Sequence, residues 1–254
     1  MRTIALSGSG SGIGAALRRR LEAEGTRVLG VDLAGAEIQA DLATTEGRER
    51  ACAEVIAAAG GRLDGVVACA GLGPHLTDAA AIVSVNYFGA VAFLAGLRES
   101  LARGSAPAAL AVSSNSITIS PGVDGPLAAA CLAGDEAEAR RLATDGITAY
   151  AGSKLALARW VRRCAVGPDW AGAGIRLNAI APGVTQTPMI EAGLALGGIG
   201  AAIRALPVPL GGTAKPEQIA AAMAFLLGPD AAFCCGSVVF VDGGSDALLN
   251  PGQP

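Results

Sequence analysis

Residues 3–14 are TIALSGSGSGIG, a short apolar run that leads into a cluster of glycines, and helical spacing follows at Ala15 to Glu24. This order is typical of a first β-strand that turns into a helix. Glycines at such a turn let the backbone approach a pyrophosphate, and the helix N-terminus points at the ligand. The stretch therefore predicts a dinucleotide site, with a plain Gly/Ser turn as the alternative. The predicted contacts are Gly8, Ser11, Gly12, Ile13 and Gly14.

Similar apolar runs recur along the chain and are separated by segments of helical spacing. They are Thr3 to Leu6, Arg27 to Val31, Glu37 to Ala40, Gly65 to Cys69, Ala108 to Ser113, Ile175 to Ile180 and Ser237 to Val241. Short, continuously apolar strands separated by helices belong to a parallel sheet that is buried on both faces. The chain is therefore predicted to be a single α/β domain over residues 1–254, a doubly wound Rossmann fold with about seven mostly parallel strands.

Two segments interrupt the alternation of strands and helices. Residues 120–146 begin with Pro121, Gly122, Gly125 and Pro126 and continue into an Ala-rich and then a charged stretch, which predicts a helical insertion. Residues 188–212 are rich in glycine and carry large apolar side chains throughout. This composition predicts a mobile apolar lid over the substrate.

The composition excludes several classes of function. Hydrophobic residues make up 52% and charged residues 16% of the 254 positions, and the net charge is -3. A chain this apolar is not disordered, and without a basic field it is not expected to bind nucleic acid or an anionic membrane. A surface so poor in charge predicts that other subunits cover part of it, as in a homo-oligomer.

The cysteines and the apolar runs bear on the compartment. Six cysteines occur without a C-x-x-C pair or accompanying histidines, so neither a metal site nor a disulfide framework is predicted, and the thiols are interpreted as small buried residues. No leader-like segment precedes the first strand, and no apolar run reaches about 18 residues without a glycine or a charge. We therefore expect a cytoplasmic protein.

Asp32 decides between the two nicotinamide cofactors. It ends the second predicted strand, 18 positions after Gly14, where an acidic residue hydrogen-bonds the adenosine ribose and repels the 2′-phosphate of NADP. NAD is therefore the predicted cofactor, with a solvated strand-end aspartate as the alternative. Asp41 and Leu42 follow the third run and are predicted to contact the adenine, although Asp41 also fits as a helix N-cap.

Tyr150 and Lys154 stand four positions apart in AYAGSK, residues 149–154. On a helix, side chains at this spacing lie one above the other, so the ammonium group approaches the phenol. A tyrosine normally titrates near pH ~10, and a nearby positive charge lowers its pKa toward the range of a useful base. The pair therefore predicts proton transfer, but the strength of this prediction depends on the other motifs in the chain.

A set of motifs follows the glycine loop in a fixed order: Asp32, Cys69-Ala70-Gly71, Asn86, Ser114, Tyr150, Lys154 and Pro182-Gly183. In the order and spacing of these motifs, the sequence resembles the short-chain dehydrogenases/reductases from Thr3 to Gly244. Within that family it is most similar to the branch of bacterial 3α-hydroxysteroid dehydrogenases/carbonyl reductases. The features that suggest this branch are GLGP at 71–74, SVNYFG at 84–89, YAGSK at 150–154 and the long insertion before Tyr150.

The resemblance implies a role for each of these positions. Tyr150 would be the general acid/base, and Lys154 would lower its pKa and bind the nicotinamide ribose. Ser114, preferred over its neighbour Ser113, would hydrogen-bond the substrate oxygen. The remaining roles are a proton-relay water held by Asn86, a backbone contact from Gly71 to the cofactor, and a contact from Thr187 to the nicotinamide carboxamide.

Each role has a purely structural alternative. Tyr150 fits as a buried structural tyrosine and Lys154 as an exposed helix lysine. Ser114 fits as a helix cap, and Asn86 fits as a residue that hydrogen-bonds the backbone. His75, the single histidine, is interpreted as a loop residue that at most lines the cleft.

Two departures from the family pattern are present. Most members carry asparagine where this chain has Cys69, so we expect a weaker hydrogen bond and a rearranged strand connection there. Ser114 and Tyr150 are 36 positions apart, whereas about a dozen is usual, and the excess lies in residues 120–146. Since many members form subunit contacts at this place, the resemblance implies a dimer rather than the usual tetramer.

The predicted function is NAD-dependent interconversion of a secondary alcohol and a ketone, with a small apolar, steroid-like substrate. Alternatives are another apolar alcohol or a 3-oxoacyl thioester, and a catalytically silent NAD-binding regulator. The thioester role usually requires NADP and a basic docking patch, which Asp32 and the acidic balance oppose. The regulator is favoured only where Tyr150 or Lys154 is replaced, and both are present.

Overall fold

A computed structural model describes residues 1–120 and 122–252 and contains one seven-stranded sheet. The strands are β1 (Thr3–Ser7), β2 (Arg27–Asp32), β3 (Ile38–Gln39), β4 (Gly65–Ala68), β5 (Ala108–Val112), β6 (Arg176–Pro182) and β7 (Val238–Val241). Their order across the sheet is β3-β2-β1-β4-β5-β6-β7, and every neighbouring pair is parallel. The predicted doubly wound fold is confirmed.

Helices follow nearly every strand. They are α1 (Gly12–Ala23), α2 (Thr45–Ala58), α3 (Ala79–Val83), α4 (Ala90–Gly96), α5 (Arg98–Ala102), α6 (Ser116–Ile119), α7 (Pro126–Ala133), α8 (Glu136–Leu142), α9 (Gly146–Ala165), α10 (Pro188–Leu194), α11 (Gly197–Ala205), α12 (Pro216–Leu227) and α13 (Ser245–Leu249). A π-helical turn, Ser84–Gly89, joins α3 to α4.

The sheet has a hydrophobic core on each face, because its strands carry apolar side chains on both sides. One core packs α2, α3, α4 and α9 against the sheet and includes the fully buried Phe93 and Leu157. The other packs α1 and α12 and includes Leu17 and Met223. These layers hold the carboxyl ends of the strands in one row.

The helical run Ala79–Ala102 is long and apolar enough to cross a membrane by length and composition, and 61% of its most apolar window is buried in the fold. The sequence prediction excluded such a segment because it required a run without glycines or charges, and residues 79–102 contain Gly89, Gly96, Arg98 and Glu99. Neither glycine ends the run. A Cβ on Gly96 would lie 2.8 Å from the Cys52 sulfur, so the glycine allows α4 to pack closely on α2. Core packing therefore accounts for the apolar character of this run.

The predicted insertion, residues 120–146, is helical and contains α7 and α8, while Pro121 lies outside the described residues. Helix α7 packs on α9, where a Cβ on Gly152 would lie 2.8 Å from Leu127 Cδ2. Asp124, ahead of α7, pairs with Arg159 of α9 at 2.5 Å. The insertion is therefore docked onto the helix that carries Tyr150.

Candidate functional site

A cavity of about 480 Å³ lies at the carboxyl ends of the strands. Ligands of open α/β sheets bind at this edge, where the strand order reverses, here between β1 and β4. All predicted site residues except Asn86 line it: Gly8, Ser11, Gly12, Ile13, Gly14, Asp32, Asp41, Leu42, Gly71, Ser114, Tyr150, Lys154 and Thr187. Residues from six loops therefore meet at one site.

The glycine loop has the geometry of a phosphate cradle. A Cβ on Gly14 would lie 1.9 Å from the Gly8 carbonyl oxygen, and Gly12 has φ +52, so neither position accepts a side chain without strain. Helix α1 begins at Gly12, and its N-cap Ser11 makes no side-chain capping hydrogen bond. The first N–H groups of a long helix are therefore free for an anion. The loop fits the pyrophosphate of a dinucleotide.

Asp32 lies beside the glycine loop at the end of β2. Its Oδ2 accepts from the Gly10 N–H at 2.8 Å and its Oδ1 accepts from the Leu33 N–H at 2.7 Å. These bonds hold the carboxylate at the cavity wall. Among the described residues that line the cavity, Lys154 is the only lysine or arginine. This described lining therefore offers no cation next to Asp32 that could bind the 2′-phosphate of NADP.

Asp41 and Leu42 line the cavity beyond Asp32, but the prediction that Asp41 caps a helix is wrong. The N-cap of α2 is Thr44, whose side chain accepts from the Gly47 N–H at 3.0 Å. Asp41 instead accepts from the Ala43 N–H at 2.9 Å, which forms a local turn. The carboxylate of Asp41 is exposed at the cavity rim.

Helix α9 places Tyr150 and Lys154 one turn apart. Its N-cap Asp145 accepts from the Thr148 N–H at 2.9 Å, which fixes where the helix starts. Lys154 is 4% exposed, and its Nζ donates to the Val112 carbonyl oxygen at 2.7 Å. Burial lowers the pKa of Lys154 to about 8. The alternative of an exposed helix lysine is wrong.

The two hydroxyl groups after β5 have different partners. The Ser113 Oγ donates to the Lys154 carbonyl oxygen at 2.9 Å and so anchors α9 to the strand end. The Ser114 Oγ accepts from the Ser116 N–H at 3.2 Å and reaches the Tyr150 phenol. Ser113 is thus engaged in structure, and Ser114 is the serine that adjoins Tyr150.

The pKa of Tyr150 is raised, not lowered, in the chain by itself. Burial raises it, and the neighbouring Ser114 hydroxyl opposes this rise. The Lys154 Nζ lies 6.0 Å from the centre of the Tyr150 ring, and burial makes the ammonium form itself less favourable. The predicted net lowering by Lys154 is therefore not found in the chain alone.

Asn86 lies behind the cavity wall on the π-helical turn. Its Nδ2 donates to the Leu72 carbonyl oxygen at 3.0 Å, and its Oδ1 accepts from the Leu72 N–H at 2.8 Å. The side chain is fully buried, and each of its two amide atoms already has a protein partner. A Cβ on Gly71 would lie 3.2 Å from the Asn86 Oδ1 and 3.4 Å from the Lys154 Nζ, which explains the glycine.

The strand connection at Cys69 is regular, so the expected rearrangement is wrong. β4 pairs in parallel with both β1 and β5. The N–H groups of Cys69 and Ala70 donate to the Ser7 Oγ at 3.2 and 3.3 Å. Ser7, which sequence reasoning missed because a serine at a strand end carries no distinctive signal, thus joins β1 to β4 without any thiol. Burial raises the pKa of the Cys69 thiol to about 12, so it is inert.

The segment 188–212 forms one wall of the cavity. Thr187 caps α10 through its Oγ1, which accepts from the Ile190 N–H at 3.3 Å, and a Cβ on Gly12 would lie 3.1 Å from its methyl group. Met189 and Ile203 line the apolar wall. His75 lines the cavity as predicted. Mobility of this lid stays a prediction.

Two polar groups next to Ser114 were not singled out from the sequence. Asn115 and Ser116 are among the residues that line the cavity, and the Asn115 Nδ2 and Ser116 Oγ are buried without a hydrogen-bond partner among the described residues. A buried polar group without a partner costs about 1–3 kcal/mol. A bound ligand or an ordered water would satisfy them. No periodic pattern in the sequence marks these positions.

Comparison with known proteins extends the likeness over the whole chain. The family model described as Enoyl-(Acyl carrier protein) reductase matches residues 136–246. The 3-alpha-hydroxysteroid dehydrogenase/carbonyl reductase of Comamonas testosteroni is 43% identical over 258 residues, 100% of each chain. The cis-4-hydroxycyclohexanecarboxylate dehydrogenase of Sinomonas cyclohexanicum is 38% identical over 104 residues, which is 40% of this chain and 39% of that one.

Solved structures agree with this likeness. The 3-alpha-hydroxysteroid dehydrogenase from Pseudomonas sp. B-0831, crystallised as a complex with NADH, has a TM-score of 0.96 and 48% identity, and the match covers 99% of this chain and 100% of that one. A match at this coverage includes the inserted helices α7 and α8.

Proposed function

Because the chain belongs to the short-chain dehydrogenases/reductases, we propose that it is an NAD-dependent oxidoreductase that interconverts a secondary alcohol and a ketone. The observation that carries the proposal is the convergence of Ser114, Tyr150 and Lys154 in the same cavity as the glycine loop and Asp32. The names of the full-length relatives support the activity.

The protein residues supply positioning and proton transfer. In the reductive direction Tyr150 donates its proton to the substrate oxygen, and in the oxidative direction its phenolate takes the alcohol proton. Ser114 donates a hydrogen bond to the same oxygen, where negative charge develops. Lys154 binds the nicotinamide ribose and places a cation behind Tyr150. When bound, the cofactor accepts or delivers the hydride at the substrate carbon.

The role proposed for Asn86 is carried by its backbone. Both side-chain amide atoms pair with Leu72, and the proposed holder of the relay water that carries protons from Lys154 is the backbone carbonyl of Asn86. A π-helical turn changes the hydrogen bonding of its carbonyl groups, and such turns are frequent at functional sites. Asn86 thus contributes through its place in the fold.

NAD, and not NADP, is the proposed cofactor. The glycine loop and the N-terminus of α1 are free to bind the pyrophosphate, and Asp32 is set to bind the adenosine ribose. Asp41 and Leu42 would border the adenine, Gly71 the nicotinamide ribose, and Thr187 the carboxamide. The absence of arginine from the described cavity lining supports the same choice.

The proposed substrate is a steroid-like 3α-alcohol or its ketone. Apolar side chains from the lid, including Met189, Ile199 and Ile203, line the cavity together with Ile119 and Val123. Such a lining binds a rigid apolar ring system and offers few partners to a polyol. The relatives' names support this class.

We expect the purified protein to reduce NAD with an androsterone-like 3α-alcohol and to reduce apolar ketones with NADH. A panel of alcohols and ketones, assayed with NAD and NADP by absorbance of the reduced cofactor, measures both the substrate preference and the cofactor preference. NADP should be used at least about tenfold less efficiently, since a 2′-phosphate would meet Asp32. Activity on polar polyols without activity on 3α-alcohols would contradict the substrate class.

Two alternatives carry less support. A 3-oxoacyl thioester attached to a carrier protein is favoured only by the description of the matching family model, and the net charge of -3 gives no basic docking field. A silent regulator would not need Ser114 beside Tyr150.

The cytoplasm is the proposed location, with no nucleic acid or membrane partner.

We expect the protein to be a homodimer. The insertion falls where the family resemblance implies subunit contacts, and its helix α7 packs on α9 of the same chain. Light scattering should therefore give a mass near twice the 25.0 kDa of one chain. A mass near four times that value would contradict the dimer.

A further inference from the structure

Arg48 on α2 is a buried arginine that lies outside the cavity and that the proposed chemistry does not use. It is 7% exposed. Its Nε donates to the Leu42 carbonyl oxygen at 2.7 Å, and its Nη2 donates to the carbonyl oxygens of Ala43 at 3.1 Å and Ser84 at 3.0 Å. One guanidinium group therefore holds three backbone carbonyls from two separate segments.

The counter-ion of Arg48 comes from the insertion. Glu136, the first residue of α8, accepts from the Arg48 Nη1 and Nη2, both at 2.7 Å. Burial is the largest single influence and would raise the pKa of Glu136. The hydrogen bonds from Arg48 and Ser84 and the charges of Arg48 and Arg140 together outweigh it, so the pKa is lowered. The pair is thus ionised at neutral pH, in the bidentate geometry that gives charge-assisted hydrogen bonds their strength.

The carbonyls that Arg48 holds belong to the adenosine side of the site. Leu42 lines the cavity beside Asp41, so the orientation of its carbonyl toward Arg48 fixes which side of this backbone faces a ligand. A Cβ on Gly89 would lie 2.9 Å from the Leu42 carbonyl oxygen, so this segment also packs tightly on the π-helical turn. The segment has little room to shift while the ion pair is intact.

We propose that Arg48 and Glu136 are positioning residues for the cofactor, and that the insertion, through Glu136, holds the Asp41–Ala43 backbone in the form that binds the adenosine half of NAD. Removing the carboxylate would leave a buried guanidinium without a counter-ion. A shift of these backbone segments that lets water reach the guanidinium would reduce this energetic cost. The inference rests on the proposed function, since it assumes that the cavity binds NAD.

The test compares ligands that contain the adenosine half with one that lacks it. Glu136→Gln keeps the size of the side chain and removes its charge. We expect the Kd for NADH and for AMP, measured by calorimetry, to rise about tenfold, equivalent to about 1.4 kcal/mol. The Kd for reduced nicotinamide mononucleotide and the kcat at saturating NADH should stay within about twofold of the wild type. Glu138→Gln, on the same helix but in an exposed pair with Arg141, is the matched control and should change neither.

Each other outcome has a defined meaning. If Glu136→Gln melts at a lower temperature but binds NADH and AMP as tightly as the wild type, the pair is only structural and the inference is overturned. An equal loss of affinity for all three ligands overturns it as well. If Glu136→Gln does not fold, Glu136→Asp, with a shorter carboxylate, is measured with the same ligands and judged by the same criterion. Failure of the wild type to bind NADH would instead refute the proposed function.

Discussion

Replacement of Tyr150 by phenylalanine is expected to lower kcat/KM for ketone reduction by about 10³-fold while leaving the Kd for NADH unchanged. The variant loses only the phenol oxygen that would donate the proton, and the ring keeps its place in the cavity wall. Stopped-flow turnover and NADH titration measure the two quantities separately.

Tyr87→Phe is the matched control for this variant. The chain has two tyrosines, and Tyr87 is 3% exposed and packs edge-on against Phe88, away from the cavity lining. Loss of its hydroxyl should leave turnover within about twofold of the wild type. Equal turnover of Tyr150→Phe and the wild type would refute the catalytic role of Tyr150.

The raised pKa of Tyr150 also sets the direction of the pH dependence. Because burial keeps the phenol protonated at neutral pH, the acid needed for ketone reduction is present at pH 7. The base needed for alcohol oxidation forms only as the pH rises. Oxidation should therefore increase from pH 7 to 9 while reduction does not, and Tyr150→Phe should remove this difference.

Replacement of Lys154 by methionine is expected to reduce kcat/KM by about 10²-fold to 10³-fold without destabilising the cofactor-free protein at pH 7. Lowering the pKa of Lys154 from 10.5 to about 8 corresponds to about 3 kcal/mol of burial cost at neutral pH. The loss of the hydrogen bond to Val112 offsets part of the gain. We expect the variant to be between equally stable and about 2 kcal/mol more stable at pH 7.

The size of this stability difference changes with pH in a defined window. Below pH 8 both the folded and the unfolded wild type carry the Lys154 proton, so the folded state bears the full cost. Between pH 8 and 10.5 the folded state releases the proton while the unfolded state keeps it, so wild-type stability rises relative to the variant. Urea unfolding at pH 7 and pH 10 should therefore show the advantage of Lys154→Met shrinking.

Lys215→Met is the matched control, because Lys215 is the other lysine of the chain and is exposed. It should change neither activity nor the pH dependence of stability. A Lys154→Met variant that is less stable at pH 7, by an amount that does not change at pH 10, would contradict the burial cost.

Patterns along the chain were enough to predict the fold. The apolar runs of β1, β2 and β4 are short and unbroken, and only a sheet covered on both faces buries such strands. Helix boundaries were less certain, since α1 begins at Gly12 rather than Ala15. The glycines at this early start of α1 also form the phosphate cradle, so the helix begins within the predicted binding loop.

All predicted site residues except Asn86 line the cavity, but the partners of each side chain could not be predicted. Ser113 and Ser114 are adjacent and chemically identical, and only the fold assigns one to the Lys154 backbone and the other to Tyr150. Asn86 was expected to hold a relay water, and nothing in the sequence indicated that Leu72 would pair with both of its side-chain amide atoms. Spacing along the chain does not show which of two neighbouring polar side chains forms a hydrogen bond with a given partner in the folded protein.

The parallel sheet, the glycine loop and the place of Asp32 could be predicted from the residues alone, because they follow from local periodicity and from residues close together in the chain. The ion pair of Arg48 and Glu136, which are 88 positions apart, is visible only in the folded chain, as are the raised pKa of Tyr150 and the lowered pKa of Lys154. Burial and long-range pairing depend on what the folded chain packs around a group, and that environment is made by segments distant in sequence.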